Sequence, residues 1–302
     1  MAFFLAVANR KGGVGKSTVA VMIAQAAAIW GKKRVLMLDL DSQCNASLIL
    51  VGGQGWNDAR KADKTIADYF YDLFDGIPAK PRDYLIANAG DVHDGYGKPP
   101  RLALLPGSLL LEDIQGELFM RQAKESNSPD VVASRVRGRI ENLLRRYGAS
   151  FDLVVLDCAP GLSLAALAAL KTADKVIVPF KPDYVSQLAV DRIALLIEDK
   201  GNLDALSKIP DEQRRYTCLA NGVRNSGKDR LLIEEIGSFH PLLDVQLPQK
   251  DSIANAFDWE PGLKSIEQKY GDGVADLRRL YAAIRPIIEQ PGVVPERRAS
   301  GA

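Results

Sequence analysis

The chain has 302 residues, 47% hydrophobic and 25% charged, a mixture that builds a buried core and excludes a disordered or fibrous protein. Its 39 Lys and Arg against 38 Asp and Glu leave a net charge of +1, which excludes binding to nucleic acid or membrane through overall basicity and leaves only a local patch. Cys44, Cys158 and Cys218 form no CxxC pair, and His93 and His240 have no neighbours that complete a metal site, so neither a disulfide framework nor a structural zinc is expected and a reducing cytosol is the natural setting.

Residues 3–8 form an apolar run of strand length, 12–15 a glycine-rich turn, 17–29 an alanine-rich helix that Gly31 stops, and 35–38 a second strand ending at Asp39. Strand, loop, helix and strand in this order make a βαβ unit and call for a parallel sheet covered by helices. Residues 52–101, rich in Gly, Asp, Lys and Pro, read as a surface insertion with one helix at 66–74. A short strand follows at 102–105 and a basic helix at 135–146. The alternation then returns: strand 152–156, helix 162–170, strand 175–178, helix 185–197, strand 216–220, helix 230–236 and an amphipathic helix 274–288. Residues 291–302 read as a disordered tail. With no repeat and no dividing linker, one α/β domain over residues 1–290 is expected: a mostly parallel twisted sheet with helices on both faces. The apolar run at the N-terminus is too short for a signal-peptide core and no run approaches the length of a membrane span, so a soluble intracellular protein is expected.

Most of the functional information lies in Asn9-Arg10-Lys11-Gly12-Gly13-Val14-Gly15-Lys16-Ser17-Thr18. Glycines let consecutive backbone N–H groups converge on a phosphate with no Cβ in the way, and the following helix turns its positive end on the same anion. Lys16 has the reach for the terminal phosphates, and the Ser17 hydroxyl suits Mg²⁺. The nucleotide-binding set is therefore Lys11, Gly12, Gly13, Val14, Gly15, Lys16, Ser17 and Thr18.

This loop departs from GxxxxGK[ST] in carrying Arg10 at the first glycine position and a second lysine, Lys11. It resembles the deviant Walker A loop of the ParA/MinD family of ATPases, closest to ParA-like (Soj-type) partition ATPases. The resemblance implies a P-loop NTPase-like fold, ATP and Mg²⁺ as ligands, and a Lys11 that crosses a dimer interface to the partner's nucleotide. Asp39-Leu-Asp41-Ser-Gln-Cys-Asn45 is similar to the family's switch I, D-x-D-P-Q-G-N. The match implies that Asp41 positions the attacking water and that Asp39 lies near the metal, with Ser42 for Pro and Cys44 for Gly as departures. The run ending Val-Val-Leu-Asp157-Cys-Ala-Pro160 resembles Walker B and switch II, which implies a metal role for Asp157 beside Ser17. Residues 178–190 resemble the family's V-P-x-x-P segment. Leu247-Pro248-Gln-Lys resembles the late loop that flanks the adenine, which makes Pro248 and the strand-end Asn221 candidate adenine contacts; for Asn221 a plain turn role is the alternative.

The resemblance implies a homodimer formed with ATP, slow hydrolysis stimulated by a ParB-like or cargo-adaptor protein, and a cytoplasmic, nucleoid-associated location. Non-specific DNA binding needs a cationic patch, and Arg214, Arg215, Arg224, Lys228 and Arg230 supply five charges with one acid, Asp229, among the last of them. Arg135, Arg137, Arg139, Arg145 and Arg146 form a second candidate. A MinD-like membrane helix is the alternative, since Leu277, Leu280, Tyr281, Ile284, Ile287 and Ile288 make an apolar stripe, although such a stripe also suits packing on the sheet. A reductase or ligase on the same scaffold is a further alternative, but the cysteine positions do not match the reductases. The glycine loop begins within ten residues of Met1, so no N-terminal helix-turn-helix and no operator reading are expected.

Overall fold

In the computed structural model, which describes residues 2–123 and 128–290, seven apolar segments pair into one all-parallel sheet. In chain order the elements are β1 (Phe3–Val7), α1 (Lys16–Ile29), β2 (Val35–Leu40), α2 (Asn45–Lys61), α3 (Ile66–Phe74), β3 (Leu102–Leu105), α4 (Leu111–Ala123), α5 (Pro129–Arg146) and β4 (Leu153–Cys158). They continue with α6 (Leu164–Thr172), β5 (Lys175–Phe180), α7 (Ser186–Ile197), α8 (Leu203–Ser207), β6 (Tyr216–Val223), α9 (Gly227–Gly237), β7 (Leu242–Pro248), α10 (Asp251–Asn255), α11 (Ile266–Tyr270) and α12 (Val274–Ile288). The strand order is β3-β2-β4-β1-β5-β6-β7, with β1 flanked by β4 and β5.

Side chains alternate across the sheet and sort the helices into two layers. Phe4 and Ala6 of β1, with Leu36 and Leu38 of β2 and Val154 and Leu156 of β4, pack against the helices from α3 to α9. Leu5 and Val7, with Val35, Met37 and Val155, pack against α1, α2, α10, α11 and α12. Register carries the functional consequence. Val7 pairs with Asp157, and Asp157 pairs with Asp39, so the end of β1 and two carboxylates sit side by side on three neighbouring strands.

The expected strands and helices are all present, and α3, β3 and α12 keep their expected bounds. Sequence reasoning did not anticipate α2, α4, α8, β7, α10 or α11. Gly52, Gly53 and Gly55 hide α2, and Gly52 breaks it with φ 68° and ψ 171°, where the Trp259 ring occupies the space a Cβ would need. Residues 52–101 are more than a surface insertion, because Ile66, Ala67, Tyr69 and Phe70 of α3 are fully buried in the core. The tail at 291–302 lies outside the described residues.

Gly31 follows α1 as expected, for a reason other than a left-handed backbone. The left-handed residue is Lys32, at φ 52°. A Cβ on Gly31 would come within 2.3 Å of the Tyr281 hydroxyl of α12 and 2.6 Å of the Ala27 carbonyl. Gly31 is thus the close-approach point between α1 and α12, two helices of the same layer. Gly31→Ala is expected to cost about 1–3 kcal/mol through this overlap, read as a lower urea midpoint, with an unchanged midpoint counting against it.

Candidate nucleotide-binding site

The loop after β1 is held from both sides. The Asn9 side chain, buried, donates to the Pro179 carbonyl at 2.9 Å and accepts from the Lys11 N–H at 3.0 Å, which ties the loop to the end of β5. Gly13 and Gly15 take φ 70° and 86°, the left-handed region that glycine enters without a Cβ penalty. Gly15 caps α1 without any side-chain hydrogen bond, and no acid stands in the first turn, so the N–H groups there remain available to an anion. Asn221, at the far part of β6, donates to the Val14 carbonyl at 2.8 Å and fills the space where a Gly15 Cβ would stand. Its donor thus holds the loop itself, a cross-strand clamp where sequence suggested an adenine contact. Pro248 ends β7 and pairs with Val223, on the same rim.

Four charged groups are buried around this loop: Lys16, Asp39, Asp41 and Asp157. Lys16 donates to the Lys11 carbonyl at 3.3 Å, and burial lowers its pKa against the attraction of Asp157 and Asp41. Asp157 is fully buried, and neither carboxylate oxygen has a hydrogen-bond partner. Burial, and secondly the charge of Asp39, push its pKa well above the usual aspartate range, opposed by the nearby Ser17 hydroxyl, which stops short of hydrogen-bond geometry, and by Lys16. Asp39 is also fully buried and raised to about 6 by burial, but its oxygens are satisfied. Its Oδ2 accepts from the Ser47 N–H at 2.8 Å and the Ser47 hydroxyl at 2.6 Å, and its Oδ1 accepts from the Asp41 N–H at 3.2 Å. Asp39, expected near a metal, therefore organises its own loop, and Asp157 is the carboxylate with free oxygens. Asp41 is buried beside them and accepts from the Gln43 N–H at 3.0 Å.

A family model described as an AAA domain matches residues 3–202. An uncharacterised protein of Pseudomonas putida is 33% identical over 305 residues, covering all of this chain and 91% of that one. The chromosome-partitioning ATPase Soj of Thermus thermophilus is 32% identical over 202 residues, 65% of this chain and 61% of Soj. The septum site-determining protein MinD of Pyrococcus horikoshii, solved with Mg-ADP, shares the fold at a TM-score of 0.63 and 17% identity, over 96% of this chain and all of that one. The chain belongs to the ParA/MinD family of ATPases. Membership implies P-loop ATPase chemistry, and the seven-stranded parallel sheet is the fold of that family.

The two departures from the ParA/MinD switch I pattern have local explanations. Cys44, standing for glycine, still takes the left-handed backbone, φ 55°, at the cap of α2. Ser42, standing for proline, donates to Glu112 Oε1 at 2.7 Å, so a hydrogen bond to α4 restrains a turn that the ring otherwise stiffens. The second lysine of the deviant loop, Lys11, ion-pairs with Asp183, three residues beyond β5, while its carbonyl accepts from Lys16. All three cysteines are buried, and burial pushes the Cys44 thiol up to about 12.

The basic stretch read as one patch separates into two. Arg214 is buried, donating to the carbonyls of Ile209 at 3.0 Å and Phe239 at 2.7 Å. Arg215 donates to the carbonyls of Ile197, Leu170 and Ala173. Both precede β6, at the end of the sheet opposite the glycine loop, and their donors are consumed by the fold; a DNA role is corrected for these two residues. Arg224, Lys228 and Arg230 follow β6 and are exposed on the same rim as the loop. Asp229, the acid among them, turns inward, accepting from the Arg224 N–H at 2.8 Å and the Ser226 hydroxyl at 2.8 Å. On α5, Arg139 covers the Phe74 ring and Arg146 donates to the Ala79 carbonyl, so that helix does not present its arginines together. The apolar stripe of α12 is buried, with Leu277, Leu280 and Ile284 fully so, and packs on α1 and β7. Among the described residues no helix is long and apolar enough to cross a membrane.

Because the native state holds protons on Asp157 and Asp39 more tightly than an unfolded chain, whose aspartates ionise near 3.8, their contribution to stability falls as pH rises through the native values. In the absence of nucleotide, the stability advantage of Asp157→Asn over wild type is expected to shrink as pH is lowered, because protonation removes from wild type the buried charge that Asn never carries. Urea midpoints of both proteins across a pH series check it, and a gap that widens on acidification would contradict the sign. Arg214→Met is expected to lower unfolding free energy by about 2–4 kcal/mol, because buried carbonyls lose their donor, with nucleotide affinity unchanged. Calorimetric melting and a nucleotide titration measure the two halves of that statement.

Proposed function

We propose that this protein is an ATP-dependent dimerising switch that positions or segregates DNA, or another large cargo, through nucleotide-dependent non-specific DNA binding. The observation that carries the reading is Lys11. It lies in the phosphate loop, yet its ammonium is turned off that loop onto Asp183 while Lys16 occupies the loop interior. A lysine so placed is available to a phosphate outside its own loop, as a second subunit would offer. The rim around it supports a partner surface. Leu109 and Leu110 after β3, Leu162 after β4, and Tyr184 and Val185 after β5 are exposed apolar side chains, and in an all-parallel sheet all of these loops share the rim of the phosphate loop.

The residues present fit a magnesium nucleotide. The unpartnered Asp157 carboxylate beside the Ser17 hydroxyl is a hard-oxygen set that burial leaves unsatisfied. Among the described residues no three His, Cys, Asp or Glu form a metal cage, which suits an ion that completes its shell with phosphate and water oxygens. Mg²⁺, held by Ser17 and by Asp157, would neutralise charge on the phosphate oxygens. Lys16 holds the terminal phosphates, and the N–H groups of residues 13–18 bind their remaining oxygens. Asp41 orients the attacking water towards the terminal phosphorus, and the bond to the ADP oxygen breaks in line. Lys11 of the opposite subunit neutralises the charge that develops, so hydrolysis and dimerisation share one residue.

DNA contact falls to Arg224, Lys228 and Arg230, which are few in one subunit and double in a dimer. A ParB-like or cargo-adaptor partner that stimulates hydrolysis, and a cytoplasmic, nucleoid-associated location, complete the reading. It is favoured over a MinD-like membrane role because the α12 stripe is already covered.

Gel filtration with ATP and Mg²⁺ tests the switch. Wild type and Asp41→Ala are expected at dimer size and Lys11→Ala at monomer size; monomers throughout would end the dimerisation reading. Changing Lys228 and Arg230 to Glu is expected to weaken ATP-dependent DNA binding at least about tenfold and to flatten its salt dependence, with nucleotide binding intact. Unchanged DNA affinity would move the contact elsewhere.

A further inference from the structure

The connection from β3 into α4 touches both loops that the family resemblance identifies as switches, from a position that sequence did not single out. Its first arm is buried. The Gly107 N–H donates to the Ser47 hydroxyl at 2.8 Å, and that hydroxyl donates to Asp39. A Cβ on Gly107 would stand 2.9 Å from the Asp39 carboxyl carbon, so only glycine lets the chain pass this close. The Gly107 carbonyl accepts from the Trp56 indole at 3.0 Å, which joins α2 to the same point. Five residues on, Glu112 accepts from the Ser42 hydroxyl at 2.7 Å.

The second arm reaches the other loop. Gln115, buried, accepts from the Ala165 N–H at 2.8 Å through Oε1, and its amide nitrogen donates to the Leu111 carbonyl at 2.8 Å. Ala165 is the second residue of α6, whose first turn presents orphan N–H groups. Ser163 takes the next of them, from Ala166. The N-terminus of α6, directly after the segment that follows Asp157, is thus capped by a side chain fifty positions earlier in the chain. The bond from Gln115 to Leu111 fixes the amide orientation, so that Oε1 and not Nε2 faces α6.

We propose that residues 107–115 couple the two switch segments, and that Gln115 is a positioning residue that sets residues 159–165 according to the state of residues 41–47. This inference rests on the ATPase switch reading above and adds to it the element that links the two loops. When the 41–47 turn rearranges with nucleotide, Ser47 and Ser42 pull on Gly107 and Glu112. Glu112 and Gln115 lie one turn apart on the same helix, so the displacement reaches the cap of α6 without passing through the nucleotide. Gln115 touches no reacting atom; it acts through Ala165.

The test uses the full chain and three substitutions. Gln115→Met keeps the volume and removes the acceptor, Gln115→Glu keeps an acceptor at a helix N-terminus that favours negative charge, and Ser42→Ala breaks an exposed bond that folding does not need. Each is measured for KM and kcat of ATP hydrolysis, and for amide hydrogen exchange with ADP and with a non-hydrolysable ATP analogue. Expected for Gln115→Met is a kcat about tenfold lower with KM within about twofold, ATP-dependent protection lost at residues 159–166 and kept at 41–47. Gln115→Glu is expected to restore kcat to within about threefold of wild type. Ser42→Ala is expected to weaken the ATP-dependent protection at 159–166 while the fold stays intact, which keeps the proposal testable even if Gln115→Met does not fold. Wild-type hydrolysis together with unaltered protection at 159–166 in Gln115→Met, or in Ser42→Ala where the former does not fold, overturns the coupling and leaves the switch reading standing. A wild type that neither hydrolyses ATP nor changes protection in either segment overturns both.

Discussion

Asp157 is buried with two unpartnered oxygens, and this uncompensated charge is the constraint around which the rim of the sheet is arranged. An ionised carboxylate in that position is costly unless a cation approaches it, and among the described residues the cation near it is Lys16, itself desolvated. Register makes the problem unavoidable: Asp39 and Asp157 are paired on adjacent strands, and Val7, from which the glycine loop springs, pairs with Asp157 on the other side. A stable protein would place an apolar residue there. On the proposed magnesium-nucleotide reading, a bound ion and phosphates would complete the electrostatics, which would make the free state the less stable one and the bound state the satisfied one.

The same argument separates the two aspartates that sequence treats alike. Both lie near the C-terminal end of a buried parallel strand, where α/β sheets place their sites. Asp39 receives three hydrogen bonds from its own loop and holds the 41–47 turn in shape. Asp157 receives none. Spacing cannot make this distinction, because the Ser47 that satisfies Asp39 is eight residues away and reaches it only through the start of α2.

The glycine loop, six of the seven strands and most of the helices were legible because their signals are local: glycine and lysine spacing, apolar runs and helical periodicity. What escaped was long-range. Arg214 and Arg224 look like neighbours in one basic stretch, but the eight residues of β6 between them carry the chain about 25 Å across the sheet, from a buried structural end to the exposed rim. Asn221 ends near a different strand's loop, and its amide serves Val14 across the sheet. For α4 the pattern was present, with Leu111, Ile114 and Leu118 at helical spacing, but Gly116 and a polar opening disguised it. Gln115 carried no signal, since its partner lies fifty positions away.

Overall charge and local charge are reconciled by the same geometry. A chain of net charge +1 cannot hold DNA by its mean field, and two of its five clustered arginine and lysine charges are locked onto backbone carbonyls. The three that remain are exposed, and Asp229, the one acid among them, is turned inward in the first turn of α9, bound by Arg224 through its backbone rather than its guanidinium. Lys228 lies over the ring of Tyr184, one residue from the Asp183 that holds Lys11. The cationic patch and the lysine of the deviant loop therefore meet on one short segment after β5. On the proposed reading, a change that draws Lys11 away from Asp183 would act directly beside the residue on which Lys228 rests.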